Sequence, residues 1–183
     1  MSRNWRVYNQ NGLHFVSFAV VGWIDVFTRA SYKEILIDSF KYCQEHKGLE
    51  LYSWCIMSNH VHFIGKAKEG FELSNILRDF KRHTSKQVIK AIQENPQESR
   101  KEWMLSIFKK SGEHNSNNTT YQFWRQDNKP IELYKAETID IKMNYIHNNP
   151  VEDGYVEKAE DYLYSSARDY AGMQGKLKIE GVE

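Results

Sequence analysis

Residues 49–66, LELYSWCIMSNHVHFIGK, decide the fold. Residues 49–57 read as one strand, Ser58-Asn59 as a two-residue turn and HVHFIGKA as the returning strand, because apolar, β-branched and aromatic runs flank a turn dipeptide. Inside the apolar run WCIMSNHVHFIG (54–65), two histidines, His60 and His62, stand one residue apart. Side chains on a strand alternate, so both share a face with Ile64 while Val61 and Phe63 take the other. Their Cα atoms then lie roughly 6.5–7 Å apart. Two imidazoles so spaced can converge on one ion, at metal–nitrogen distances of about 2.0–2.3 Å. Equally, His60 can be a turn residue and His62 a hydrogen-bonded core histidine.

Upstream, HFVSFAVVG (14–22) is rich in β-branched and aromatic residues and reads as a central strand. A helix follows, opened by a capping box of Ser31 and Glu34, with Ile35, Leu36, Phe40 and Cys43 at helical spacing and Gly48 as its stop. Downstream, residues 72–92 predict a helix with Leu73, Leu77, Phe80, Thr84 and Val88 on one face. A short helix at 99–109 and a polar Ser/Asn-rich loop, SGEHNSNNTT (111–120), come next, and YQFWRQ (121–126) reads as the fourth strand. Residues 135–149 predict a helix with the core stripe Ile139, Met143 and Ile146, ended by Pro150 because the residue before a proline avoids helical angles. Crossover helices with one tight hairpin give an α+β protein: an antiparallel sheet with flanking helices, close to the ferredoxin-like, RRM-like split βαβ class. Residues 1–183 read as a single domain, with a polar insertion near 95–120 and a flexible tail from about 172.

Bulk numbers narrow the function classes. A chain of 183 residues with 40% hydrophobic content is enough for one sizeable core and excludes wholesale disorder. The net charge of +1 predicts no polyanion partner by itself, so any nucleic acid must be held by a local patch. Cys43 and Cys55 form no metal-type spacing, and with no secretory leader they read as reduced thiols in a cytoplasm. The longest apolar run, FVSFAVVGWI, is too short to cross a bilayer, so no membrane partner is expected.

One local patch stands out. Arg78, Arg82, Lys86 and Lys90 follow at i+4 steps with Lys81 beside them, and Asp79 is the only acid between residues 73 and 93. Such a ladder either tracks a phosphate backbone or is a solvated helix face. Arg125 and Trp124 in FWRQ, and Arg3, Trp5 and Arg6, are further candidates for phosphate or base contacts.

Two ligands do not make a catalytic site, and the segment NYIHNNP (144–150) is the one candidate place for a third. Tyr145 and Asn149 lie one helical turn apart on one face, whereas His147, two positions from Tyr145, faces away and is left out of the site. A tyrosine oxygen attacking a phosphodiester forms a covalent phosphotyrosine, so strand cleavage can be reversed as joining. The bland alternative makes Tyr145 a packing residue and Asn149 a helix cap.

WCIMSNHVHFIG, followed by YIHNNPVEDGYV and DYLYSSARDY, resembles the single-tyrosine HUH transposases, closest to the REP-associated tyrosine transposases of bacteria. The likeness spans roughly residues 12–170, with His60-Val61-His62 as the histidine–hydrophobe–histidine motif. The resemblance implies the HUH endonuclease fold and metal-dependent cleavage and rejoining of single-stranded DNA at hairpin-forming sequences. It implies Tyr145 as nucleophile, leaving a 5′-phosphotyrosine and a free 3′-hydroxyl. His60 and His62 would bind Mg2+ or Mn2+, with Asn149 completing the metal site. The oligomer would be a monomer or a homodimer, Tyr145 serving its own or a partner's site. Two other readings stay open: a domesticated DNA-binding protein of the same fold without activity, and a hydrolase of small phosphoesters built on the histidine pair.

Overall fold

The computed structural model describes residues 7–113, 120–126 and 129–181. Four strands form one antiparallel sheet, β1 (His14–Ala19), β2 (Leu49–Ile56), β3 (His60–Ala67) and β4 (Ile131–Glu132), in the order β2-β3-β1-β4. The helices are α1 (Ala30–His46), α2 (Leu73–Glu94), α3 (Lys101–Glu113), α4 (Ala136–Glu152) and the short α5 (Ala167–Tyr170). The α+β class, with an antiparallel sheet and flanking helices, is as the sequence predicts. No described helix is long and apolar enough to cross a membrane.

Alternation along β1 and β3 sorts the two faces. Phe18 and Phe63 point to α1 and α2, where Phe40 packs on Phe80 at 4.5 Å and on Phe63 at 5.3 Å between ring centroids. The opposite face carries Phe15, Ser17, His60, His62 and Ile64, with Ser17 paired to His62 and Phe15 to Ile64 across the strands. Helix α4 packs over this face against β2 and β3. The hairpin therefore puts its aromatic residues into the core and its histidines under α4.

Several local expectations give way to tertiary contacts. The capping box does not form. Helix α1 starts at Ala30 with no side-chain cap, and the Glu34 carboxylate accepts from Tyr164 Oη at 2.8 Å and Lys176 Nζ at 2.7 Å. Residues 121–126 are not the fourth strand. They touch the sheet through one bridge, Val20 to Trp124, because after Ala19 the chain bends away through Gly22 and Trp23, both at positive φ (65° and 54°); the fourth strand is β4. Trp124 is core, its indole N–H donating to Thr84 Oγ1 at 2.9 Å. Helix α4 does not stop before Pro150 but runs through it to Glu152. Burial of Ile146, His147, Asn149 and Pro150 against the sheet outweighs the local preference of the residue before proline. The tail, expected to be flexible from about 172, lies along β2: Leu177 is buried and Glu180 N–H donates to Leu51 O at 2.8 Å. Residues 114–119 of the polar loop, and Arg3, Trp5 and Arg6, lie outside the described residues.

The start of the insertion has a structural role. The Glu98 carboxylate is enclosed, pairing with Arg29 Nε at 2.9 Å and Arg100 Nε at 3.1 Å. Arg100 also donates to Asp25 O at 2.9 Å, so the insertion braces the loop after β1. Burial pushes the Glu98 carboxyl up, but the hydrogen bonds and charges of Arg100 and Arg29 outweigh it and hold it down to about 2. A depressed carboxyl stabilises the fold above its unfolded value, near 4.5, and loses that contribution as pH falls toward 2. Allowing for solvent screening of the part-exposed arginines, Glu98→Gln should cost about 2 kcal/mol at pH 7. In urea melts the difference from wild type should shrink steadily below pH 4.5 and approach zero only below about pH 2; a loss independent of pH would contradict it.

Candidate active site

Sequence separation gives no hint that Tyr145 and the histidine pair meet, yet in one chain they do. Tyr145 Oη lies 3.5 Å from His62 Nε2, with the rings edge to face at 5.2 Å. The helix that carries Tyr145 is fixed two residues on by His147, whose Nε2 lies 3.1 Å from Ser53 Oγ on β2 and 2.9 Å from Ser166 Oγ. Burial lowers the His147 imidazole to about 4, so it is a neutral structural tether. Its ring points into the protein, and Tyr145, 41% exposed, points out along the sheet where a substrate can reach it.

His60 and His62 sit with ring centroids 4.6 Å apart. Asn149, buried one turn after Tyr145, is close enough to the His60 side chain to act on its pKa. Burial lowers the His60 pKa, against the opposing pull of Asp153 and Asn149. Burial, then the neighbouring His60 and Lys142, push His62 down to about 3. Both imidazoles are therefore neutral at pH 7, with lone pairs to give, and His62 is far too weak a base to hold a proton there.

The partners of the two rings differ. His60 Nδ1 lies 2.7 Å from Asn59 Oδ1, an acceptor, so Nδ1 carries the proton and Nε2 keeps its lone pair. Asn59 is itself held, its amide donating to Asp25 Oδ1 at 3.1 Å and Trp23 O at 3.3 Å; Ser58 donates to the same carboxylate oxygen at 2.6 Å. His62 stacks on Phe15 at 5.3 Å. Among the described residues its buried Nδ1 has no hydrogen-bond partner, and its Nε2 has the long Tyr145 contact alone. His62 is thus held by ring packing more than by hydrogen bonding.

His60, His62 and Asn149 could hold a divalent cation, since two neutral imidazoles and an amide oxygen are donors such an ion accepts. Among the described residues no group of three or more His, Cys, Asp or Glu side chains is gathered; beside the two histidines, the buried Asn149 amide offers an uncharged oxygen. The free thiols are no alternative nucleophiles, since Cys43 and Cys55 are buried and burial pushes both thiols up.

The expected DNA-binding residues divide. Arg78 and Arg82 turn toward Asp79, at 3.0 and 3.4 Å, which also takes Lys47 at 3.3 Å. Lys81 donates to Arg125 O at 2.9 Å, tying α2 to the 121–126 segment. Lys81, Arg82, Lys86 and Lys90 line a groove of about 670 Å³ between α2 and residues 120–126, with Tyr121 on its far wall. Arg125 stands at 5.2 Å over the ring of Trp23, and Trp23 meets His60 edge-on at 6.1 Å. The basic groove and the histidine pair are thus joined.

Sequence reasoning missed Lys142, Asn59, Asp25 and Trp23. Lys142 Nζ lies 4.8 Å from the Phe15 ring and 5.7 Å from the Tyr145 ring. Its position three residues before Tyr145, on the same helical face, was the available signal. The turn dipeptide alone gives Asn59 no part in the site.

The family model of IS200-like transposases matches residues 13–123. The chain belongs to the IS200-like transposase family. The matched residues include the histidine pair of this IS200-like chain and end before α4, so the placement of Tyr145 and Asn149 rests on the geometry above. Among solved structures, a REP-associated tyrosine transposase bound to a REP hairpin shares the fold, with a TM-score of 0.66 and 18% identity over 100% of this chain and 94% of that one. A protein from Deinococcus radiodurans R1 assigned as a transposase is similar at a TM-score of 0.45 and 18% identity, over 80% of this chain and 96% of that one. No protein of curated function matches. Membership in the family makes the chain a DNA-processing protein of the transposase type.

Proposed function

We propose that this IS200-like protein cleaves and rejoins single-stranded DNA at hairpin-forming repeats, with Tyr145 as nucleophile and a divalent metal, Mg2+ or Mn2+, held by His60, His62 and Asn149. The observation that carries the reading is the 3.5 Å approach of Tyr145 Oη to His62 Nε2, on a solvent-facing edge beside two neutral imidazoles. The hairpin substrate is inferred from the fold shared with the REP-hairpin-bound transposase.

In the proposed reaction the Tyr145 oxygen attacks the scissile phosphorus, the P–O3′ bond breaks, and the 5′-phosphate becomes joined to the tyrosine. The phenolic proton is lost, and the departing 3′ oxygen takes up a proton to become a hydroxyl. Because one phosphoester replaces another, the 3′-hydroxyl of a second strand can reverse the step. A cation held by His60, His62 and Asn149 would supply Lewis-acid polarisation of the phosphate. Lys142 adds positive charge beside the tyrosine, and Lys86 and Lys90, with Lys81, Arg82, Arg78 and Arg125 around them, hold the flanking backbone.

Incubation with 5′-end-labelled and 3′-end-labelled hairpin oligonucleotides and Mn2+ tests the proposal. The expected product is a protein–DNA adduct that survives denaturation, carries the 3′ label only and maps to the Tyr145 peptide. Cleavage with both labels free in solution would overturn it in favour of hydrolysis. A second expectation concerns the support of His60: Asn59→Ala removes the acceptor that fixes its tautomer and should weaken Mn2+ binding by about 10- to 100-fold. Titration calorimetry with Mn2+ reads this directly, and unchanged affinity would remove Asn59 from the account.

A further inference from the structure

Trp23 is an unusual residue for its position. It is large, 54% exposed, and holds a left-handed backbone angle, φ 54°, that bulky side chains avoid. Three contacts fix it beside the histidine pair. Its ring meets His60 edge-on at 6.1 Å. Its carbonyl accepts from the Asn59 amide at 3.3 Å, and the same Asn59 holds His60. Arg125 lies over one face of the indole at 5.2 Å. The loop behind it is braced by Arg100, which donates to Asp25 O at 2.9 Å. An exposed aromatic ring held rigid between a basic groove and a candidate metal site has the properties of a stacking surface for a base, because every nucleobase offers a π-face.

We propose that Trp23 is the platform on which the nucleobase flanking the scissile phosphate stacks, with Arg125 beside it on the adjoining phosphate. This deepens the functional reading above and rests on it for the position of the scissile phosphate. The platform turns the single strand out of the groove lined by Lys81, Arg82, Lys86 and Lys90 and presents its backbone to Tyr145.

The test uses the full chain, a 20-nucleotide oligothymidylate and a backbone-matched 20-mer of abasic residues. Trp23→Ala should weaken oligothymidylate binding by about 10-fold or more, Trp23→Phe should recover most of it, and abasic binding should be the same in all three proteins. Equal losses on both oligonucleotides, or no loss on either, overturn the platform. Should base-dependent binding fall as expected while the wild type forms no covalent adduct, the platform stands and the cleavage reading fails. Should adduct form in both proteins with base-dependent binding unchanged, the cleavage reading stands and the platform fails.

Discussion

Tyr145→Phe should abolish the covalent protein–DNA adduct and lower strand cleavage by about three orders of magnitude or more, the scale seen when a covalent nucleophile is removed. The substitution removes one oxygen and little else. The ring keeps its edge contacts to His62 at 5.2 Å and Phe15 at 6.2 Å, so fold stability and binding of hairpin DNA should stay within about twofold. The discriminating result is therefore loss of chemistry with retained binding. A variant that cleaves at the wild-type rate would point to a metal-activated water and to the small-phosphoester hydrolase reading. Wild-type protein that binds hairpins and never cleaves them would point instead to a domesticated binding protein.

His62→Ala should be nearly as severe for a different reason. In the proposed metal site it removes one of two imidazole donors and leaves His60 and the Asn149 amide. Loss of an outer-shell partner alone costs about 10- to 100-fold in metal affinity, so loss of the ligand should exceed the upper end of that range, and cleavage should fall with it. The stack on Phe15 is also lost, and His62 is buried, so about 1–3 kcal/mol of stability goes with the cavity. His62→Gln refills most of the volume without restoring an imidazole. If the metal account holds, Gln recovers stability and leaves Mn2+ affinity low. Recovery of both together would reduce His62 to a packing residue.

The two predictions rest on parts of the molecule that differ in how legible they were. The hairpin could be read because its signal is local: alternation puts Val61 and Phe63 on one face and the histidines on the other, and both strands carry β-forming residues. The amphipathic pattern of α2 is equally local, and its buried residues Leu73, Leu77, Phe80, Thr84 and Val88 follow the helical period. What failed were local signals overruled by distant partners. Glu34 is a good capping residue taken by Tyr164 and Lys176, more than a hundred positions away. Pro150 should stop a helix, yet the packing around it carries α4 one turn further.

The candidate site was legible only in pieces. His60 and His62 share a strand face by alternation, and Tyr145 and Asn149 share a helix face by periodicity. That these two faces close on each other is a tertiary fact, and only resemblance to a family suggested it. The brace from the insertion to Asp25, and from Asp25 through Asn59 to His60, had no pattern to betray it. Trp23 was hidden for a related reason, since its left-handed backbone shows only in coordinates.

The central claim is that Tyr145 faces a divalent ion gripped by His60, His62 and Asn149. Its most direct test is a crystal grown with Mn2+ and measured near the manganese absorption edge. The account predicts one strong anomalous peak within about 2.0–2.3 Å of a nitrogen on each imidazole, next to the Asn149 amide oxygen, with Tyr145 Oη turned toward it. A protein saturated with Mn2+ whose peak lies away from the histidines, or whose Tyr145 points from the ion in every copy, would contradict it.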